Sequence, residues 1–423
     1  MLCTGALNTS QALAGGLWTY EVGTDDVGLA SAGYGARAQD ASTVLTNPAG
    51  MTRLDGTQVM VGAQALYGDL SLSMNPVRAG FSAGGDNGGN PIGWFPGGSF
   101  FISYSVSPDL KFGFGTAGNF GGSVHYDDTW AGRYYAKEST LLGASLLPSI
   151  AYRINENLSL GLSANAMYGY LKNTIAINNI GTASDGQLRL RDTKWGWGFN
   201  LGLLYEASPA TRLGLVYNSQ INLDFSPQAQ FSNLTGPIAA KLTAAGLLNG
   251  TVNMGIKVPQ GVMGSVFHQM NDRWAVLGSV GWQQWSKFGQ IDIGVESSAA
   301  AISSVTTQLN FKDTWHGAAG AQYRPSEPWL VNFGIAYDSK FQDGSNISPS
   351  LPTNTAWRFG IGGKKQESKS FSWGVAAEYV YGGSTSINKT SVAPIVAGGR
   401  GDLSGSFSNI NVYYLSANGN WKF

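Results

Sequence analysis

Strict alternation of apolar with small or polar residues dominates this chain. Between Leu158 and Tyr170 one parity reads Leu158, Leu160, Leu162, Ala164, Ala166, Tyr168, Tyr170. The other reads Ser159, Gly161, Ser163, Asn165, Met167, Gly169. The segment from Trp195 to Tyr205 repeats the pattern, with Trp195, Trp197, Phe199, Leu201, Leu203 and Tyr205 on one face. Period two over such lengths predicts strands with one apolar and one small or polar face. These runs exceed the roughly 5–6 residues of ordinary strands and match the about 9–11 that cross a bilayer at a tilt.

Fourteen segments carry the pattern: 57–67, 98–107, 109–118, 138–154, 157–171, 194–207, 211–225, 257–269, 273–296, 305–324, 329–338, 354–365, 371–383 and 408–423. Their connections alternate between short and long. Short ones include Ser107-Pro108, Asn155-Glu156 and Met270-Asn271-Asp272; long ones cover 68–97, 119–137, 172–193, 226–256, 297–304, 339–353 and 384–407. Short periplasmic turns opposite long external loops are the outer-membrane arrangement, whereas a soluble sandwich has no reason to place every long loop at one end. The expected fold is all-β, a 14-stranded antiparallel transmembrane β-barrel. The last strand ends Leu415, Ala417, Gly419, Trp421, Phe423 on one parity. A terminal aromatic of this kind resembles the signature by which barrel-assembly machinery accepts its clients, so Phe423 is the expected contact.

Composition agrees. Charged residues are 12% of the chain, about half the ~25% of soluble domains, and aromatics another 12%. With 26 basic and 26 acidic residues the net charge is zero. No positive field exists to neutralise phosphates, so nucleic acid is not an expected partner. Abundant aromatics exclude a disordered chain. No run of about 20 apolar residues is present, which excludes spanning helices but not a closed barrel.

Residues 1–14 end Ala12-Leu13-Ala14 before Gly15 and read as the tail of a signal peptide whose start is missing or misassigned. A short N-terminus without structure is the other reading. Residues 15–56 lack the strand pattern. They are Gly/Ala-rich, then polar around Asp40-Ala41-Ser42, and lead into Asn47-Pro48-Ala49-Gly50-Met51. This segment is either a periplasmic tail or a plug inside a lumen that fourteen strands leave room for. The remainder, 57–423, is the barrel.

Ala36-Arg37-Ala38-Gln39-Asp40-Ala41-Ser42 followed by Asn47-Pro48-Ala49-Gly50-Met51 resembles the N-terminal hatch of the FadL family, outer-membrane channels for long-chain fatty acids and other hydrophobic compounds. Tyr126 to Tyr134, Trp195 to Asn200, Asn271 to Val276, Trp282 to Ser286 and Lys312 to Trp315 are similar as well. The resemblance runs from about Gly15 to Phe423 and implies a barrel closed by a hatch, 15–56, with Asn47, Pro48, Ala49 and Gly50 at the gate. It implies passive uptake: capture between the third and fourth external loops, here 172–193 and 226–256, then a tighter internal site. Displacement of the hatch and sideways exit beside an inward kink in the third strand follow. Localisation in the bacterial outer membrane, lipid contact and a monomer are expected, and no cofactor.

The residues supply candidates for these roles. Gly113, Gly115 and Gly118 lie in the third strand, where glycine marks bulges and bends. Loop 226–256 contains an apolar helix-like stretch, Ile238 to Leu248, with Leu242 and Leu247 as binding candidates; a helix packed on the barrel rim is the alternative. If Ile150 and Tyr152 face lipid, parity turns Arg153, Ser149, Lys137, Tyr135 and Arg133 inward. If Phe311 and Trp315 face out, Lys312 and His316 face in. An inward cation in an apolar cavity suits a carboxylate, which makes Arg133 or Lys312 the candidate for an acid headgroup. A rim cation in water, or one paired with Asp127 or Asp128, is the other reading. Inward parity also carries Leu204, Val216, Leu277 and Trp285, a partly greasy lumen unlike the charged constriction of a diffusion porin.

Catalytic motifs carry no weight here. Gly113-Phe114-Gly115-Thr116-Ala117-Gly118 matches G-x-G-x-x-G but lies in a strand with no following helix. His125, His268 and His316 lack metal-ligand spacing. The expected function is uptake of hydrophobic molecules, not catalysis; the alternative is a structural or adhesive barrel whose hatch never opens.

Overall fold

The computed structural model describes residues 17–181, 184–244, 246–248, 250–288, 290–297, 300–301, 305–308, 310–342 and 347–423. Residues 1–14, read above as a signal-peptide tail, lie outside the described residues. The chain forms a closed antiparallel barrel of 14 strands. They are β1 (Gln58–Met74), β2 (Gly93–Ser105), β3 (Leu110–His125) and β4 (Glu138–Leu146, continued by Ser149–Arg153). Next come β5 (Leu158–Ile177), β6 (Gly186–Ser208), β7 (Thr211–Asn218 with Ile221–Phe225) and β8 (Thr251–Val258 with Gly261–Gln269). The circuit is completed by β9 (Trp274–Gln283 with Gln290–Ser297), β10 (Val305–Gln308 with Thr314–Tyr323), β11 (Trp329–Asp338), β12 (Ala356–Ser368), β13 (Phe371–Tyr381 with Thr385–Lys389) and β14 (Leu403–Lys422). Closure is made by β1 against β14, in register from Gln58↔Lys422 to Met74↔Gly405 with one shift at Asp69/Ser71. No helix among the described residues is long and apolar enough to cross a membrane.

Each of the fourteen predicted segments coincides with one strand. The outward parity is the apolar one: Trp195, Trp197, Phe199 and Leu201 are exposed, as are Trp357, Phe359 and Ile361. Such a face is stable against lipid, where a closed ladder pairs the backbone groups of neighbouring strands with one another.

Several strands run further than the hydrophobic alternation suggested. The β5–β6 ladder continues to Ile177↔Gly186, so most of the expected loop 172–193 is strand. Alternation persists there with polar residues in place of apolar ones, because the strands stand above the membrane. For the same reason β1 reaches Met74 and β3 reaches His125. Elsewhere strands break. Leu147-Pro148 interrupts β4, where proline cannot donate to the ladder. A one-turn helix, Trp285–Phe288, interrupts β9.

Residues 17–54 are almost wholly buried and touch strands all the way round the barrel. Ser99 on β2 donates to Val22 O, Arg212 on β7 to Ala36 O and Arg37 O, and Ser279 on β9 to Ser31 O. Inward glycines let the backbone approach. A Cβ at Gly161 would stand 2.2 Å from Ala49 N, and one at Gly334 1.9 Å from Leu29 C. Small residues on the inward parity are therefore required at the points where the segment's backbone comes this close to the wall.

Candidate functional site

The third strand is irregular where the N-terminal segment meets it. In the β3–β4 ladder Gly118 pairs with Ala144 but Phe120 with Gly143, which leaves Asn119 as an extra residue on β3. One residue too many in one strand is a β-bulge. The backbone beyond it bends, and Gly121 takes φ +130, a conformation open to glycine. Here the chain pairs with its own N-terminal segment: Thr19 N donates to Asn119 O at 3.0 Å, Gly121 N to Leu17 O at 2.7 Å, and Trp18 faces Phe120. Of the candidate kink glycines, Gly113 and Gly115 pair regularly with Ser103 and Phe101 of β2; Gly118 borders the bulge.

Beside the bulge lies a cavity of about 260 Å³. Leu17, Leu141, Leu171, Ile256, Phe288 and Phe311 give it an apolar lining, and Ser139, Asn173, Ser348 and Ser350 supply polar atoms. No charged side chain is among the described residues that line it. It adjoins a packed aromatic group. Trp285 stacks on Phe341 at 4.8 Å between centroids, Phe288 on Phe311 at 6.1 Å, and Phe120 closes on Trp285 at 6.3 Å.

Two ionic clusters fasten the N-terminal segment to the wall. Arg37 pairs with Asp26 at 2.9 Å, while Lys364 of β12 reaches Asp25 and Asp40, each at 3.4 Å. Burial pushes the Asp26 carboxyl up to about 7 against the pull of Arg37. Burial opposes ionisation of Asp40 too, but Lys364, Arg37 and hydrogen bonds from Ser42 win and hold it at about 2. In the second cluster Arg358 joins Glu21 of the segment to Asp338 (2.5 Å) and Glu378 (3.2 Å) of the barrel. His316 Nδ1 lies 2.7 Å from Asp338, and Tyr20 packs on its ring.

The sequence candidates divide accordingly. Asn47 is buried, and its amide donates to Gly35 O (2.6 Å) and Leu203 O (3.0 Å) while its side-chain oxygen caps Ala49 N (3.1 Å). Pro48, Ala49 and Gly50 continue as a 3-10 helix, Pro48–Arg53, against β5 and β6. Leu277 is buried, but against Gly33 and Ala32 of the N-terminal segment and not in open space. Trp285 is buried in the short helix and not on the strand parity assigned to it; its indole N–H bonds Gln283 at 2.8 Å. Leu242 belongs to the loop helix Gly236–Ala244 and Leu247 to the turn beyond it; both are half-buried.

The two cations depart from expectation. Arg133 precedes the start of β4 at Glu138, so strand parity does not reach it. All five of its N–H donors go to loop atoms: Asp185 (2.7 Å), Gly84 O, Trp130 O, Ala83 O and Tyr134. Lys312 lies in the break of β10, where parity reverses: Phe311 is buried and Lys312 exposed. Neither lines the cavity. The parity of Trp315 and His316 holds, since β10 resumes at Thr314.

Sequence reasoning missed the aromatic group, whose members come from β3, the β9 helix and two loops. It also missed the charged clusters, although a signal existed. Arg358 and Glu378 occupy inward parity between exposed Trp357, Phe359 and Val375.

Known proteins share this architecture. A Pseudomonas aeruginosa FadL homologue superposes with a TM-score of 0.85 at 19% identity, covering 96% of this chain and 100% of that one. The toluene transporter TodX of P. putida gives 0.72 at 15% identity, covering 95% and 98%. In sequence, the long-chain fatty acid transport protein of Salmonella typhi is 29% identical over 410 residues, 91% of each chain. Outer membrane protein P1 of Haemophilus influenzae is 28% identical over 379 residues, 80% of each. The profile described as outer membrane protein transport protein (OMPP1/FadL/TodX) matches residues 5–423. A barrel with a lipid-facing apolar surface that matches this profile almost end to end belongs to the OMPP1/FadL/TodX family of outer-membrane transport proteins.

Proposed function

We propose that this protein takes up hydrophobic molecules by holding them in the cavity beside the bulge and releasing them sideways at β3. One observation carries the reading: Leu17 both lines the cavity and hydrogen-bonds β3 just past the bulge. A molecule that fills the cavity presses on the residues that close the wall. Movement of 17–19 away from Asn119–Gly121 removes the strand-like partner that this bent stretch has on that side among the described residues, and opens a lateral path. Lateral release keeps an insoluble molecule out of water.

Residues 15–56 act in this scheme as a hatch with Asn47 to Gly50 as its anchor. The half-buried Leu242 and Leu247 serve in capture at the external face. Arg133 holds the loops together. The lining of the cavity suits cargo recognised by apolar contact, with Ser139, Asn173, Ser348 and Ser350 available to a polar end. Relatives named for long-chain fatty acids and neighbours named for toluene both fall within that class.

Trp18 and Phe120 face each other as a non-hydrogen-bonded antiparallel pair, a separation of about 4.5 Å between Cα atoms that a disulfide can span. With Cys3 replaced by Ser, the Trp18→Cys/Phe120→Cys protein is expected to lose uptake of labelled oleate or toluene when oxidised and regain it on reduction. Full uptake by the locked protein, its disulfide verified by mass, contradicts exit at this point.

A further inference from the structure

Above the membrane band, one sector of the barrel carries an outward-facing group of cations. On β6 the outward parity runs Tyr205, Leu203, Leu201, Phe199, Trp197, Trp195, and then turns polar at Thr193, Arg191 and Arg189. From Tyr205 to Trp195 the rise matches the about 25 Å apolar band of an outer-membrane barrel. The arginines therefore stand at headgroup level on the long-loop side, which faces out. Both are exposed. On β5 the same boundary falls between Tyr170 and Lys172, and the ladder sets Lys172 directly opposite Arg191.

The carboxylates around this rim include Asp224, exposed on the outward side of the neighbouring strand β7 and not ion-paired to either arginine. Glu138 pairs with Lys172 at 2.6 Å, and Asp192, on the inward parity, leans to Lys194 and Ser226 N. Asp185 is taken by Arg133. Arg189 lies opposite Gln230, and Arg191 rests over the Tyr170 ring at 5.5 Å. Neither arginine has a carboxylate partner among the described residues. An exposed arginine pair on this wall has lipid headgroups as its neighbours, and guanidinium binds phosphate in a planar, two-pronged fashion.

We propose that Arg189 and Arg191, with Lys172 beside them, dock the phosphate of an outer-leaflet glycolipid. Its acyl chains then run down the aromatic face formed by Tyr168, Trp195 and Trp197. Continuity of the cationic rim with that lipid-facing surface selects a lipid phosphate over a soluble anion.

The full chain, reconstituted in nanodiscs with bisphosphorylated lipid A and then exchanged into detergent, is assayed by native mass spectrometry for retained lipid. The wild type is expected to keep lipid A, and Arg189→Ala/Arg191→Ala to keep about tenfold less or lower, as loss of two basic residues at an anionic surface implies. Heat-modifiable migration on gels verifies that the variant barrel is formed. Should it fail to form, the wild type decides alone with dephosphorylated lipid A, which is expected not to be retained. Equal retention by the double variant, equal retention of the dephosphorylated lipid, or displacement by excess inorganic phosphate overturns the proposal.

Discussion

Asp26 is the residue whose chemistry bears most directly on how firmly the N-terminal segment is seated. Its carboxyl, ordinarily near 3.8, is pushed up to about 7 because burial costs the ionised form more than Arg37 returns. The seated segment thus holds a proton that the released segment gives up above about 4. Stability from the neutral acid is complete below 3.8 and is lost as pH rises towards 7. Hydrogen exchange of amides 24–37 should accordingly quicken between those limits, and Asp26→Asn should flatten the slope. An unchanged slope in that variant assigns the effect elsewhere. At this scale the sequence exposed the Arg37 and Asp40 motif but not its partners. Glu21 and Arg358 are 337 residues apart, and only closure of the barrel brings them together.

Strands were legible because lipid on one side and a packed segment on the other impose a strict period of two. What parity could not convey is where a strand pauses. Pro148, the Trp285 turn and the 310–313 break each reset the count, which is why Lys312 is exposed and why Trp285, buried as parity expects, sits on a turn and not on a strand. The bulge at Asn119 is a pause of the same kind, though glycines hinted at its neighbourhood. Deleting Asn119 aligns Gly118–Phe120 with Ala144–Gly143 without an extra residue. The shortened strand is expected to form a heat-modifiable barrel with uptake reduced to near the level of cells lacking the protein. Wild-type uptake by that variant removes the bulge from the mechanism.

For the whole molecule, the β1–β14 ladder closes the barrel from residue 58 onward without help from the N-terminal segment. Removal of residues 17–54 is expected to leave the barrel intact and to give a large, steady conductance in planar bilayers. Conductance no greater than that of the full chain contradicts a hatch. Low charge, abundant aromatics and inward glycine belong together at this scale: one face meets lipid, the other lets a polypeptide lie against it. Carriage of hydrophobic cargo across the outer membrane is decided by uptake of radiolabelled oleate and toluene into cells with and without this protein. At least one of the two is expected to enter faster when the protein is present, by a margin that the oxidised Trp18→Cys/Phe120→Cys lock abolishes. Equal entry of both compounds in its presence and absence contradicts it and favours a barrel that is structural or adhesive.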